Sequence, residues 1–304
     1  MDRLFVITNS DAGTADAETL GIALDLWREK AEVEVAESGS PEELEEVLAR
    51  ADGRRIVVAG GDGSMHAVVA ALHRRGTLAD SELALLPLGT GNDFARGNDI
   101  PLEVEEAARL VLDGQPRRVD LLVDDTGSVV VNNVHAGAGA QASRRGARWK
   151  ERLGSIGIGR INLGRLGYPI GALLAAFRPP HLHLRVEVDG EVVNDTDRPV
   201  LMVAVGNGAA VGGGTRITPR ADTEDGRMDV MISRSVGPLQ KFLYVAHLGR
   251  RRHHRREDVD YLRAGRVALS GQQFWCSADG EVYGPVHARS WQVERAAYAM
   301  VLPR

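Results

Sequence analysis

The sequence predicts two domains, an α/β domain built on a parallel sheet followed by a domain of mainly antiparallel β-strands. Over roughly the first 115 residues, short apolar or β-branched runs alternate with helical patterns, as in a parallel sheet covered by helices. After Asp120 the texture changes to short alternating strands and tight turns. At 304 residues and 43% hydrophobic composition, the chain can build about two cores of ordinary size.

In the first domain, strands are expected at Leu4 to Thr8, Val33 to Ala36, Ile56 to Ala59 and Leu83 to Leu86. A well-marked helix lies between the second and third. Ser40 is its N-cap, Pro41 takes the first helical position, Glu43 completes a capping box, and Leu44, Val47 and Leu48 share one face. Another helix starts near Met65, and a further one runs from Leu102 to Asp113 and ends at Gly114. In the second domain, Leu184 to Val193 reads as a hairpin around Asp189-Gly190, and Phe274 to Tyr283 as one around Asp279-Gly280. One helix interrupts the strands, from Pro238 to about Gly249, and leads into the run Arg250 to Arg256. There is no internal repeat and no low-complexity linker, so the boundary near residue 120 rests on the change of pattern.

Charge and composition narrow the function classes. With 37 basic against 42 acidic side chains the net charge is −5, so wholesale binding to nucleic acid is not expected and an anionic partner must be met locally. The single cysteine, Cys276, can form no intrachain disulfide and fits a reducing, cytoplasmic setting. The longest nearly uncharged stretches, Tyr168 to Phe177 and Pro199 to Thr215, are too short or too glycine-rich to span a bilayer. The 35 glycines cluster in short blocks, and those blocks carry the chemistry.

Ile56 to Leu72 reads as a strand, then Gly60-Gly61-Asp62-Gly63-Ser64, then a helix. Glycines let a backbone approach a phosphate closely, and a helix start favours an anion. The segment is neither a Walker A loop, lacking the Lys, nor a dinucleotide GxGxxG, and a plain strand-to-helix turn has the same local pattern. A second block repeats the geometry: Leu83 to Leu86 feed Pro87-Leu88-Gly89-Thr90-Gly91-Asn92-Asp93-Phe94-Ala95-Arg96. Two such loops at the carboxyl ends of strands in one sheet share a crevice where open α/β sheets bind ligands. A carboxylate facing phosphates needs a cation between, so Asp62 and Asp93 imply Mg²⁺ bound with a nucleotide.

GGDGS from Gly60 and PLGTGNDFAR from Pro87 resemble the paired motifs of the diacylglycerol kinase catalytic family, which includes sphingosine and ceramide kinases and soluble bacterial lipid kinases. The resemblance continues through Val131-Asn132-Asn133-Val134, the stretch from Val203 to Val230, and Asp279-Gly280-Glu281. It implies a phosphofructokinase-like three-layer α/β domain over residues 1–119, completed by about residues 293–304, and a β-sandwich, lipid-substrate domain over 120–292, with ATP and Mg²⁺ between them. By the same resemblance Asn9, Gly60, Gly61, Asp62, Gly63, Ser64, His66, Gly89, Thr90, Gly91 and Asn92 contact the nucleotide. Asp62, Asp93 and Asp120 organise the catalytic metal, and Glu281 is the general base. A second Mg²⁺ is held by the turn with Asp222, Asp225 and Arg227.

Two readings stay open on local grounds. Asp189-Gly190-Glu191 has the same three letters as Asp279-Gly280-Glu281, and only position relative to the other motifs favours the second. The acidic Asp222 to Asp229 stretch also reads as a solvated turn. Two departures bear on nucleotide affinity. The family's opening Asn-Pro-x-Ser-Gly and basic residue are replaced by Asn9-Ser10-Asp11-Ala12-Gly13-Thr14, and its Asn-Glu pair after the first loop by His66-Ala67.

Arg250 to Arg256 holds five arginines and two histidines in seven residues. It reads either as a solvated basic helix end or as a dock for anionic lipid headgroups, each cation adding about 1 kcal/mol near the surface. No aromatic stacking platform accompanies it, so no nucleic-acid partner is expected. Leu166 to Phe177 reads as core or as an acyl-chain pocket. The expected activity is transfer of the ATP γ-phosphate to a lipid hydroxyl, diacylglycerol to phosphatidic acid first. The alternatives are another acceptor (a sphingoid base, an isoprenoid alcohol or NAD) or a non-catalytic lipid- or nucleotide-sensing protein. The expected location is cytoplasmic, peripheral to the inner face of the membrane, and a homodimer stays open because a subunit interface leaves no fixed motif.

Overall fold

A computed structural model describes residues 2–10, 14–137, 140 and 181–304. They form two compact units. The first comprises Met1–Leu121, Thr223–Gly226 and Glu294–Arg304, and the second Leu122–Asp222 and Arg227–Val293.

In the first unit the elements alternate: β1 (Asp2–Asn9), α1 (Thr14–Arg28), β2 (Ala31–Ser38), α2 (Pro41–Leu48), β3 (Arg55–Gly60), α3 (Asp62–Arg74), β4 (Glu82–Pro87), α4 (Asp93–Gly97), α5 (Val104–Asp113) and β5 (Gln115–Asp124), the last running on into the second unit. The strands pair in parallel in the order β2-β1-β3-β4, and Ala299 and Met300 add to the free side of β4. β3 and β4 are nearly continuous buried aliphatic runs because helices cover both faces of a parallel sheet. On one face Leu4, Val6, Val57 and Leu86 pack against Trp27 of α1 and Val111 of α5. Trp27 is fully buried, and its indole N–H donates to Ala108 O at 2.9 Å, satisfying the one polar atom of the side chain.

The expected cap of α2 is present, with one difference. Ser40 Oγ accepts from Glu43 N–H at 3.2 Å, but the Glu43 carboxylate reaches back one residue further, to Gly39 N–H at 2.7 Å. α3 starts at Asp62, three residues before the expected Met65, because Gly61 takes the N-cap position. α5 starts at Val104 rather than Leu102, where the Glu103 side chain accepts from Glu106 N–H.

The second unit contains β6 (Val129–Val130), β7 (Asn133–Gly137), β8 (Leu184–Val188), β9 (Glu191–Asn194), β10 (Met202–Gly206), β11 (Ala210–Val211), β12 (Thr215–Arg216), β13 (Met228–Ser233), α6 (Pro238–Gly249), β14 (Val259–Ala264), β15 (Arg266–Ala278) and β16 (Glu281–Leu302), whose last residues belong to the first unit. Its pairings are antiparallel, in the order β14-β13-β10-β7-β15-β16, with β8 also joined to β15 and β9 to β8. This is the β-sandwich the sequence predicts. Alternate residues serve two cores: Val203, Val205, Val230 and Ile232 enter the larger one, while Met202, Ala204 and Met231 meet Tyr244 of α6. No helix of the described residues is long and apolar enough to cross a membrane.

α6 ends at Gly249, and the basic run continues as a 3₁₀ turn, His253–Arg255. His253 is fully buried, lies edge-on to Tyr244 at 5.8 Å, and bonds Ile217 O through Nε2 at 2.8 Å. Burial pushes its pKa below the usual 6.5, and the neighbouring His254 and His247 add to that. The unfolded chain therefore takes up this proton first, so the stabilisation is complete above pH 6.5 and is lost as pH falls below it. Protection factors of residues 250–256, which correct amide exchange for its intrinsic pH dependence, should fall between pH 7.5 and 5 ahead of those of the β-strands, and much less in His253→Gln.

Candidate functional site

β3 and β4 run parallel with Gly60 opposite Pro87, so both glycine-rich loops leave the same end of the sheet side by side. A Cβ on Gly89 would lie 2.5 Å from Gly61 Cα, and one on Gly61 would lie 2.9 Å from Gly89 Cα. The loops touch backbone to backbone, which requires glycine at both positions. Two hydrogen bonds brace the contact: Leu88 N–H donates to Gly60 O at 3.0 Å, and Phe94 N–H donates to Asp62 Oδ1 at 3.0 Å.

The brace leaves certain groups open. The first turn of α3 has no side-chain cap, so its N–H groups stand at the positive end of the helix dipole. Asn92 sits in the left-handed region at φ 51°, and its Nδ2 donates to Gly89 O at 2.6 Å. Its Oδ1 is buried without a partner among the described residues, 2.8 Å from where a Gly89 Cβ would stand. The second carboxylate oxygen of Asp62 also takes no bond among them.

The expected nucleotide contacts Gly60, Gly61, Asp62, Gly63, Ser64, His66, Gly89, Thr90, Gly91 and Asn92 therefore share this loop pair and the first turns of α3. Gly63 and Thr90 are exposed, while Ser64 and His66 are half-buried. Asn9 follows Thr8, which pairs with Ala59, so it ends its strand beside Gly60. Asp11 to Gly13, in the departing first loop, and Leu166 to Phe177 lie outside the described residues.

The aspartates differ. Asp93 is buried at the start of α4. Asp120 is buried, and both its oxygens accept backbone N–H groups, Gly226 at 2.6 Å and Ala296 at 2.8 Å. Burial raises its pKa, the two N–H bonds lower it, the Asp225 charge raises it and Arg295 lowers it. Among the described residues no three His, Cys, Asp or Glu side chains gather around a metal position. Asp222, Asp225 and Arg227 are exposed, and the turn they belong to is tied down at Gly226 by Asp120. The unpartnered second oxygen of Asp62 fits a Mg²⁺ that arrives with a nucleotide, which needs one or two carboxylates and leaves its other positions to phosphate and water.

In the second unit both Asp-Gly-Glu segments form tight hairpins with φ positive at Asp and Gly, and Glu191 and Glu281 are both exposed. The aspartates separate them. Asp189 Oδ1 accepts from Gly265 and Arg266 at an exposed edge. The Asp279 carboxylate accepts three consecutive backbone N–H groups, Val131 at 2.7 Å, Asn132 at 2.9 Å and Asn133 at 3.1 Å. Asn132 and Asn133 each donate Nδ2 to Ala210 O, and Asn207 donates Nδ2 to Val131 O at 2.9 Å. This buried network joins three motifs quoted from the sequence. No role for Asp279, Asn132, Asn133 or Asn207 was readable there; the only signal was that Asn-Asn and Gly-Asn-Gly are unusual inside apolar strands.

Fold and loops define a class, an α/β unit with paired glycine loops joined to an antiparallel β-sandwich. Residues 3–123 match the diacylglycerol kinase catalytic domain, and residues 132–302 match the YegS C-terminal NAD kinase beta sandwich-like domain. The chain belongs to the family that joins these two domains. It is 32% identical over 209 residues to a "Probable lipid kinase YegS-like" protein of Chromohalobacter salexigens, covering 67% of this chain and 62% of that protein. With one of the same description from Stenotrophomonas maltophilia the identity is 34%, over 58% of this chain and 55% of that one. The chain thus spans less than two thirds of these relatives' length. A crystal structure of a diacylglycerol kinase from Bacillus anthracis shares the fold at a TM-score of 0.72 and 19% identity, over 99% of this chain and 96% of that one.

Gly89→Ala should force the loops apart, lowering stability by about 1–3 kcal/mol and abolishing nucleotide binding, as read by thermal melting and nucleotide titration. Asp279→Ala leaves three N–H groups of one segment unpaired and should cost about 2–4 kcal/mol in denaturant titration, with Asp189→Ala costing clearly less.

Proposed function

We propose that this chain transfers the γ-phosphate of ATP to a lipid hydroxyl, with diacylglycerol the first acceptor to expect. The observation that carries the reading is the backbone contact of Gly61 with Gly89 beside the uncapped start of α3, which leaves N–H groups and no side chain where phosphates would lie. The lipid acceptor is supported by the relatives' description as lipid kinases.

In this reading the α3 N–H groups and the Gly60 and Gly89 loops bind and orient the phosphates, and Thr90, His66 and Asn9 flank them. Asp62 and Asp93 would hold Mg²⁺, which offsets phosphate charge as it builds in the transition state. Asp120, which fixes Gly226 and Ala296, would help organise the same metal. The Asp222 to Arg227 turn would take a second Mg²⁺ through the Asp225 carboxylate and carbonyl oxygens. Glu281 takes the proton of the acceptor hydroxyl as it attacks, on a corner that the Asp279 clamp keeps rigid.

Glu281→Gln keeps size and hydrogen bonding but cannot accept a proton. With labelled ATP and a panel of dispersed diacylglycerol, sphingoid base, isoprenoid alcohol and NAD, kcat should fall by roughly 10²- to 10⁴-fold, or less if the transition state is loose, while ATP binding persists. Glu191→Gln should leave kcat unchanged. Equal losses in the two variants would remove the assignment of the base. Transfer to NAD alone would replace the lipid acceptor.

A further inference from the structure

We propose that the outer face of α6 and the arginine turn after it form a docking surface for an anionic lipid bilayer. The residues argue for a surface of two chemistries, and the choice of a bilayer as occupant rests on the lipid-acceptor reading above.

The helix is amphipathic in an unusual sense. Lys241 and Tyr244 are buried, and at 100° per residue the opposite face carries Leu239, Phe242 and Ala246. Leu239 is 67% exposed and Phe242 55%, the two most exposed large hydrophobic side chains among the described residues. Leaving two such groups in water on one helix face is costly unless something apolar covers them.

The same face runs into cations. Arg250 folds back along it, Nη1 reaching Ala246 O at 3.4 Å. Among the described residues Arg250, Arg251, Arg252 and Arg255 make no ion pair, although many arginines elsewhere in the chain do. Arg256 is the exception in the run, held by Asp258 at 2.7 and 2.8 Å. Buried His253 anchors the turn, and the four arginines without an ion pair are all exposed. An open cleft of about 610 Å³, lined by Gln240, His247, Arg252, Arg255, Glu257 and the Arg256–Asp258 pair, is large enough for a phosphodiester headgroup. Four unpaired cations against one exposed carboxylate give a local excess of positive charge in a chain of net charge −5. Apolar side chains beside unpaired cations match the acyl boundary and anionic headgroups of a bilayer. A polyanion without an apolar layer would leave Leu239 uncovered.

The test uses the full chain and two sets of vesicles, pure phosphatidylcholine and equimolar phosphatidylcholine with phosphatidylglycerol. Wild type should sediment with the anionic vesicles only, and should leave them as salt rises from about 0.1 to 1 M, where the screening length falls from about 10 to 3 Å. Replacing Arg250, Arg251, Arg252 and Arg255 with Gln should weaken partitioning about 100-fold or more. Leu239→Ser with Phe242→Ser should weaken it at least about 10-fold. Both variants should keep their turnover on a detergent-dispersed acceptor. A readout independent of these losses is a polarity-sensitive fluorophore on Phe242→Cys. Cys276 is buried, with its thiol pushed up to about 12 chiefly by burial, and will not compete for the label. The label's emission should shift to the blue on anionic vesicles. Unshifted emission, wild-type partitioning by either variant, or tighter binding to single-stranded DNA than to anionic vesicles overturns the proposal. Vesicle binding without any phosphoryl transfer upholds the surface and removes the kinase reading. Transfer to a dispersed acceptor without vesicle binding does the reverse.

Discussion

The first unit depends on one contact, the meeting of Gly61 and Gly89 with no side chain between them. Parallel pairing of β3 with β4 sets the two loops side by side, and the Asp62 bond to Phe94 N–H holds them there. One residue is thereby asked to do two things. One oxygen of Asp62 fixes the geometry of the pair, and in the proposed kinase reading the other is left for a cation. A substitution at Asp62 thus mixes loss of shape with loss of ligand. The glycines separate the two effects better, because they carry shape alone.

The second unit is organised by a half-buried carboxylate instead. Three consecutive backbone N–H groups on Asp279 are the kind of charge-assisted set that fixes a segment more firmly than neutral bonds would. The Asn side chains then pass that order on to Ala210 and Val131. Gly208 fits the same pattern: a Cβ there would fall 1.9 Å from Asn132 Oδ1. Glycine is needed at Gly208 for closeness rather than for an unusual φ.

The sequence is most readable where pattern and local chemistry coincide. Strand runs of aliphatic residues, the Ser40-Pro41-Glu43 cap and the Asp-Gly turns all report interactions within a few residues, and each is found close to its expected place. α3 starts three residues ahead of the place its sequence suggests, because glycines read as loop although Gly61 serves as an N-cap. The partners of Asp120, Asp279 and His253 lie far away in the chain, at Ala296, Val131 and Ile217, so no window of sequence could show them. The same holds for the arginine run. Its letters suggest one basic stripe, but packing buries His253 and pairs Arg256, leaving four of the five arginines without an ion pair.

Asp120 has a consequence for how the protein is made. The first unit is assembled from three separated pieces of chain, and Asp120 joins them: it holds Gly226 with one oxygen and, with the other, Ala296, a non-glycine residue kept at φ 48°. β4 gains its neighbour from Ala299 and Met300. During synthesis from the N-terminus, the helices and β1 to β4 can pair early, but the free side of β4 stays a bare strand edge until the second unit has been made. A nascent chain therefore presents that edge for a long interval, which makes the order of translation, rather than final stability, the point at which this architecture is most open to wrong pairing.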